Sequence, residues 1–99
     1  MIDYKRENTK LASLLLAKGF HFEFRAFDDG GGTQVILFDS RRKRVADAVC
    51  HSFSYGHEEG LLEIMGLGVE REVVGDDVEG WLTAEEVFKR WCDAIEGKE

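Results

Sequence analysis

Residues 20–38 read FHFEFRAFDDGGGTQVILF. Their first half alternates: Phe20, Phe22, Phe24 and Ala26 share one parity, and His21, Glu23, Arg25 and Phe27 the other. Successive side chains on a strand point to opposite faces, so this period of two predicts a strand with one buried and one open face. Asp28-Asp29-Gly30-Gly31-Gly32 predicts a turn, because glycine supplies the positive φ of a tight reversal. Thr33 to Phe38 is apolar on both parities, which suits a central strand covered on both sides.

Working outward from this hairpin, Asp39-Ser40-Arg41-Arg42-Lys43-Arg44 predicts a second turn, and Val45 to Phe53 a third strand. One face of that strand is Ala46, Ala48, Cys50 and Ser52, all small, which suits close approach by a helix. The other face is Val45, Asp47, Val49, His51 and Phe53. Upstream, Leu11, Leu14 and Leu15, with Ala12 and Leu16, follow helical spacing between a possible cap at Asp3 and a stop at Gly19. Downstream, residues 57–65 predict a short helix, with Leu61, Leu62, Ile64 and Met65 as its apolar side and Gly66 as its end. Residues 67–80, acidic and glycine-containing, predict a loop or short extended piece. Thr83-Ala84-Glu85-Glu86 is a capping box opening a last helix with Val87, Phe88, Trp91 and Ile95 at helical spacing. Glu85–Lys89 and Glu86–Arg90 are spaced as i,i+4 ion pairs on its wet face. The order α-β-β-β-α-α predicts an α+β fold: one domain over residues 1–99, a three-stranded antiparallel sheet with helices packed on one face.

Composition narrows the function classes. Residues 1–50 carry nine Lys/Arg against seven Asp/Glu, a net +2; residues 51–99 carry four against thirteen, a net −9. Such an acidic half repels nucleic acid and attracts basic surfaces. No stretch approaches the ~18 apolar residues of a membrane span. The charged start Met1-Ile2-Asp3-Tyr4-Lys5-Arg6-Glu7 lacks the apolar core of a secretory signal, so the expected location is the cytoplasm. Cys50 and Cys92 fit no disulfide framework and are expected as buried, apolar-like thiols.

The stretch CHSFSYGHEE, residues 50–59, concentrates the chemistry-bearing side chains. Strand parity sends Cys50 and His51 to opposite faces, which weighs against one shared metal ion. Cys50 with His57, or His51 with His57, could meet, but structural zinc needs four ligands and only Cys92 and His21 remain, at unrelated positions. A Cys–His nucleophile pair would need a low-pKa thiolate, often at a helix N-terminus, and an oxyanion site, whereas Cys50 precedes its expected helix and is expected to face the core. Glu58 and Glu59 suit a first helical turn, where carboxylates complement the helix dipole. The expectation is a non-catalytic chain with no cofactor and no metal. The basic run Arg41–Arg44 reads as a solvated hairpin. An α-β-β-β-α order is shared with the double-stranded-RNA-binding domain, but that module needs a basic second helix, and here the corresponding segment begins His57-Glu58-Glu59. Direct nucleic-acid binding is therefore not expected.

AVCHSFSYGHEEGLLEIMGL (48–67) and VEGWLTAEEVF (78–88) resemble small uncharacterised proteins of phages and prophages of Gram-positive bacteria. The size, acidity and element order are similar to type II anti-CRISPR proteins. That resemblance implies a bacterial host and a protein partner with a basic surface, Cas9 or another nucleic-acid enzyme, held by an acidic imitation of DNA phosphates. The side chains it would use are Glu70, Glu72, Asp76, Asp77 and Glu79, then Glu58 and Glu59. The alternative is a structural or regulatory module that homodimerises through the sheet face bearing His21, Glu23, Arg25, Phe27, His51 and Phe53. A third option, an enzyme or metal protein, would use Cys50, His51 or His57.

Overall fold

The structure is a computed structural model that describes residues 2–27, 30–69 and 78–96. The elements are α1 (Arg6–Lys18), β1 (His21–Ala26), β2 (Gly32–Phe38), β3 (Arg44–His51), a 3-10 turn (His57–Glu59), β4 (Leu62–Gly66), β5 (Val78–Leu82) and α2 (Ala84–Ile95). The strands form a single antiparallel sheet in the order β1-β2-β3-β4-β5. The expected α+β class holds, but among the described residues the sheet has five strands rather than three.

Both corrections fall after residue 56. The predicted helix over 57–65 is only a 3-10 turn followed by β4. Gly56 at φ 94° and Gly60 at φ 72° bracket the turn in left-handed backbone, which no α-helix passes through. Beyond Gly60, Leu62 and Ile64 are fully buried while Met65 is half exposed, the alternation of a strand. The segment 67–80, expected as a loop or short extended piece, is extended at its end, where β5 begins at Val78. A register shift between Leu62 and Ile64 interrupts the β4–β5 pairing, and Val78, Glu79 and Gly80 are buried in succession.

Both helices pack on one face of the sheet. Leu11 and Leu15 of α1 meet Val35 and Leu37 of β2 and the small residues Ala46, Ala48 and Cys50 of β3 in one cluster. The expected small-residue face is thus where α1 approaches. Ser52, beyond the end of β3, is exposed, and Leu16 turns away from the core, 72% exposed. Asp3 Oδ1 accepts from the Lys5 and Arg6 amides at 2.9 and 3.1 Å, and Gly19 closes α1 at φ 86°. Asn8 is buried in α1, with Nδ2 donating to Thr33 Oγ1 and the Ala48 carbonyl.

The capping box of α2 forms in full: the Glu86 amide donates to Thr83 Oγ1 and the Thr83 amide to Glu86 Oε1. Val87 and Trp91 are buried and Phe88 packs against the core, while Ile95 is largely exposed. Trp91 Nε1 donates to the Leu67 carbonyl at 3.1 Å, tying the end of β4 to the helix. On the helix surface Lys89 pairs with Asp93 and Glu85 with Lys10 of α1, while Arg90 reaches back to Glu79. Glu7 of α1 joins the helices: it is 4% exposed, and its Oε1 accepts from the Ala84 amide at 2.8 Å. No helix among the described residues is long and apolar enough to cross a membrane.

Candidate functional site

Strand alternation turns Glu23, Arg25, Gln34, Ile36, Asp47, Val49, Glu63 and Met65 away from the helices. The middle of this open face is closed by its own side chains. Ile36 lies between Glu23 and Asp47 in the register, with Met65 beyond, and is 2% exposed. Asp47 accepts from Gln34 Nε2 at 2.7 Å and from Arg44 at 3.1 Å.

The end of the sheet near residues 27, 51 and 81 differs, because aromatic side chains collect there. Phe27 lies 6.0 Å from His51, ring centre to ring centre, and His51 lies 6.5 Å from Phe53. Tyr55 stacks on Trp81 at 5.6 Å with the planes 13° apart. Phe53 is 89% exposed and Trp81 50%. The backbone is built around these rings. The Phe53 amide donates to His51 Nδ1 at 3.1 Å, which assigns the ring proton to Nε2. Ser54 Oγ accepts from the His51 amide, and the Tyr55 amide donates to Glu63 Oε1 at 2.8 Å.

Two glycines make the approach possible. A Cβ on Gly32 would stand 2.4 Å from His51 Cβ, and one on Gly80 2.3 Å from Tyr55 Cβ. Any side chain at either position would push the aromatic residue away. Trp81 itself has φ 59°, the left-handed region that a bulky residue enters only under constraint. Its amide donates to the Tyr55 carbonyl at 3.4 Å. Stacking and this hydrogen bond together hold the indole at the surface.

Of the seven acidic side chains proposed as a phosphate imitation, three fall among the described residues. Glu70, Glu72, Asp76 and Asp77 lie outside the described residues. Glu79 is no surface carboxylate: it is 8% exposed and ion-paired with Arg90 of α2. It faces the helix layer because it stands opposite Ile64 in the register. Glu58 and Glu59 are exposed, on a single 3-10 turn rather than a helix start.

The Cys/His set is dispersed. Cys50 is fully buried beneath the helices, and burial pushes its thiol up to about 11, the opposite of an activated nucleophile. Cys92 is half-buried rather than buried, and burial raises its thiol too. His51 is on the opposite face from Cys50. His57 lies edge-on to Tyr4, 6.3 Å away, with Nδ1 buried and without a hydrogen-bond partner. Among the described residues, no three His, Cys, Asp or Glu side chains are grouped to hold a metal ion.

Phe27 and His51 were readable as open-face residues from strand parity, whereas Phe53, expected as the end of the third strand, stands in the turn beyond β3. Tyr55 and Trp81 were not readable, because their exposure depends on the irregular β5 and on Gly80. Comparison with protein-family models, curated proteins and solved structures finds no match to this chain.

Proposed function

We propose that this chain is a non-catalytic protein-binding module, and that Phe27, His51, Phe53, Tyr55 and Trp81 form its contact surface. The observation that carries this role is Trp81: a bulky side chain kept in left-handed backbone and half in water. Backbone strain of this kind costs about 1–3 kcal/mol and persists where the surroundings impose it, often at ligand clamps. Folding alone gains little from an indole left in water, whereas interfaces draw much of their energy from buried Trp and Tyr. Phe53, almost fully exposed, adds a second apolar anchor. The net charge of −7 favours a protein over a nucleic acid as the occupant.

The sharper reading, a phage-borne inhibitor of Cas9 that imitates DNA, keeps Glu58 and Glu59 as exposed acids but loses Glu79 to Arg90. The aromatic surface has the stronger support because its rings are held in place by specific backbone contacts.

Trp81→Gly tests the proposal cleanly. Glycine accepts φ 59° without strain, which offsets the lost stacking of about 0.5–1.5 kcal/mol. The variant should keep wild-type stability to within about 1 kcal/mol and lose at least about tenfold in affinity for whatever protein the wild type captures from a bacterial lysate. Equal capture by both proteins, or no specific capture by either, contradicts the assignment.

A further inference from the structure

Among the described residues, the first strand leaves one edge of the sheet unpaired. Among the described residues β1 pairs with β2 alone, in unbroken register from His21↔Phe38 to Ala26↔Thr33. The opposite edge, β5, is interrupted by a register shift and by Trp81 in left-handed backbone. Bulges, prolines and inward-pointing charges are how sheets keep an edge from pairing. β1 carries none of these: its pairing is unbroken, the chain has no proline, and Glu23 and Arg25 lie on the open face.

Hydrogen-bond direction shows which backbone groups are available. The Phe27 amide donates to the Gly32 carbonyl at 2.9 Å, so residue 27 faces β2. In an antiparallel ladder the direction alternates along the strand. Glu23 and Arg25 therefore also face β2, and the amides and carbonyls of Phe22, Phe24 and Ala26 face outward from the free edge.

We propose that β1 pairs with β1 of a second copy of this chain, antiparallel about a two-fold axis at Phe24, joining two sheets edge to edge. In this register Phe24 stands opposite Phe24 of the second copy, and Phe22 opposite Ala26. These residues all have outward-facing amides, so they form the hydrogen-bonded pairs. Glu23 then stands opposite Arg25 of the second copy, and Arg25 opposite its Glu23. Both fall at non-hydrogen-bonded positions, where facing side chains come closest, about 4.5 Å between Cα atoms.

Charge selects this register over its neighbours. Sliding one copy by two residues places Glu23 opposite Glu23, or Arg25 opposite Arg25, and like charges directly opposite are destabilising. Within one chain Glu23 and Arg25 already pair at 3.0 Å, about half exposed, and exchanging that contact for one across the axis sacrifices little. On the helix side, Leu16, 72% exposed, lines a groove with Phe20 and Phe22 beside the same edge. The second copy would cover it, giving the interface an apolar layer beneath its hydrogen bonds.

The pairing is independent of the partner-binding role and is tested without any partner. Sedimentation equilibrium on the intact protein at micromolar concentrations should give twice the chain mass of 11.2 kDa. Glu23→Arg and Arg25→Glu should each weaken the dimer by about tenfold or more, because the symmetry repeats every change on both sides of the axis. The double variant E23R/R25E restores complementary pairs and should return to within about threefold of wild type. Phe53→Ser should leave the dimer intact. Circular dichroism and a thermal melt on each variant confirm the fold. A monomer at all concentrations overturns the proposal, as does a double variant no better than the singles. A dimer lost with Phe53→Ser but indifferent to the charge changes would mean face-to-face association, and also overturns it.

Discussion

Glu7→Ala removes a carboxylate that is 4% exposed and lies against the first turn of α2. In the wild type, Glu7 Oε1 accepts from the Ala84 amide at 2.8 Å, and Oε2 meets Arg6 at 2.9 Å and Lys10 at 3.8 Å. Ala84 is fully buried, so its amide gains no water in exchange. A hydrogen bond to a charged group is worth about 1.5–3 kcal/mol, and the surviving partner is left unsatisfied when it is removed. The Arg6 and Lys10 side chains are 49% and 46% exposed, so their ion pairs add at most about a few tenths of a kcal/mol each. The expected loss is about 2–3 kcal/mol, or roughly 10–20 °C in Tm for a domain of this size. Glu7→Gln keeps an acceptor but loses the charge, and should cost about 1 kcal/mol. Urea melts followed by tryptophan fluorescence measure both. Burial works to raise the Glu7 pKa, but the Ala84 amide, Arg6 and Lys10 outweigh it and hold the carboxyl below its ordinary value of 4.5. A group whose folded pKa is depressed stabilises the fold fully above its unfolded value and loses that contribution as pH falls through the folded one. The gap between wild type and Glu7→Gln should therefore be constant near neutrality and shrink in acid below pH 4.5. Equal, negligible effects of the two substitutions would refute this account of how the helices are joined, as would a gap that widens in acid.

Two further outcomes follow from the packing. At pH 8, with its pKa near 11, about one Cys50 thiol in a thousand is ionised, so a thiol reagent should label the half-buried Cys92 first and Cys50 only on unfolding. Rapid labelling of Cys50 in the native protein, read by mass spectrometry of peptides, contradicts its placement in the core. Gly80→Ala puts a methyl 2.3 Å from Tyr55 Cβ, and should cost about 1–3 kcal/mol. It should also weaken the near-ultraviolet circular dichroism of the Tyr55–Trp81 stack. An unchanged spectrum means the stack does not depend on that close approach.

The first half of the fold was legible because each of its elements follows one rule. Phe20 to Ala26 alternates in sequence and forms β1, although at the sheet edge only Phe20 and Phe22 of the expected buried face are partly covered and Phe24 and Ala26 are exposed. The Asp39–Arg44 turn carries its own cap, with Asp39 Oδ1 accepting from the Arg41 and Lys43 amides, and Ala46, Ala48 and Cys50 mark the helix-facing side. The Thr83–Glu86 capping box placed α2 just as directly. The middle was not legible, because two signals compete there. Leu61, Leu62, Ile64 and Met65 fit helical spacing, yet Leu62 to Met65 also alternates between Gly60 and Gly66. The left-handed glycines decide for the strand. β5 hides itself for a different reason: its register shift breaks the alternation by which strands are recognised. Glu79 was misread with it, since a carboxylate in an acidic run looks solvated until the fold brings Arg90 alongside. Trp81 gave no signal of its own, because its exposure follows from the left-handed backbone beside Gly80.

The role of the aromatic surface is tested most directly by quantitative affinity capture from a bacterial lysate with three proteins: wild type, Phe53→Ser and the double variant E58K/E59K. Phe53 is 89% exposed, so its loss should leave the melting temperature unchanged while the captured protein falls by about tenfold or more. The lysine double variant should capture as well as wild type. The opposite pattern, with binding lost on charge reversal and kept by Phe53→Ser, would move the contact surface to the acidic turn and contradict the aromatic assignment.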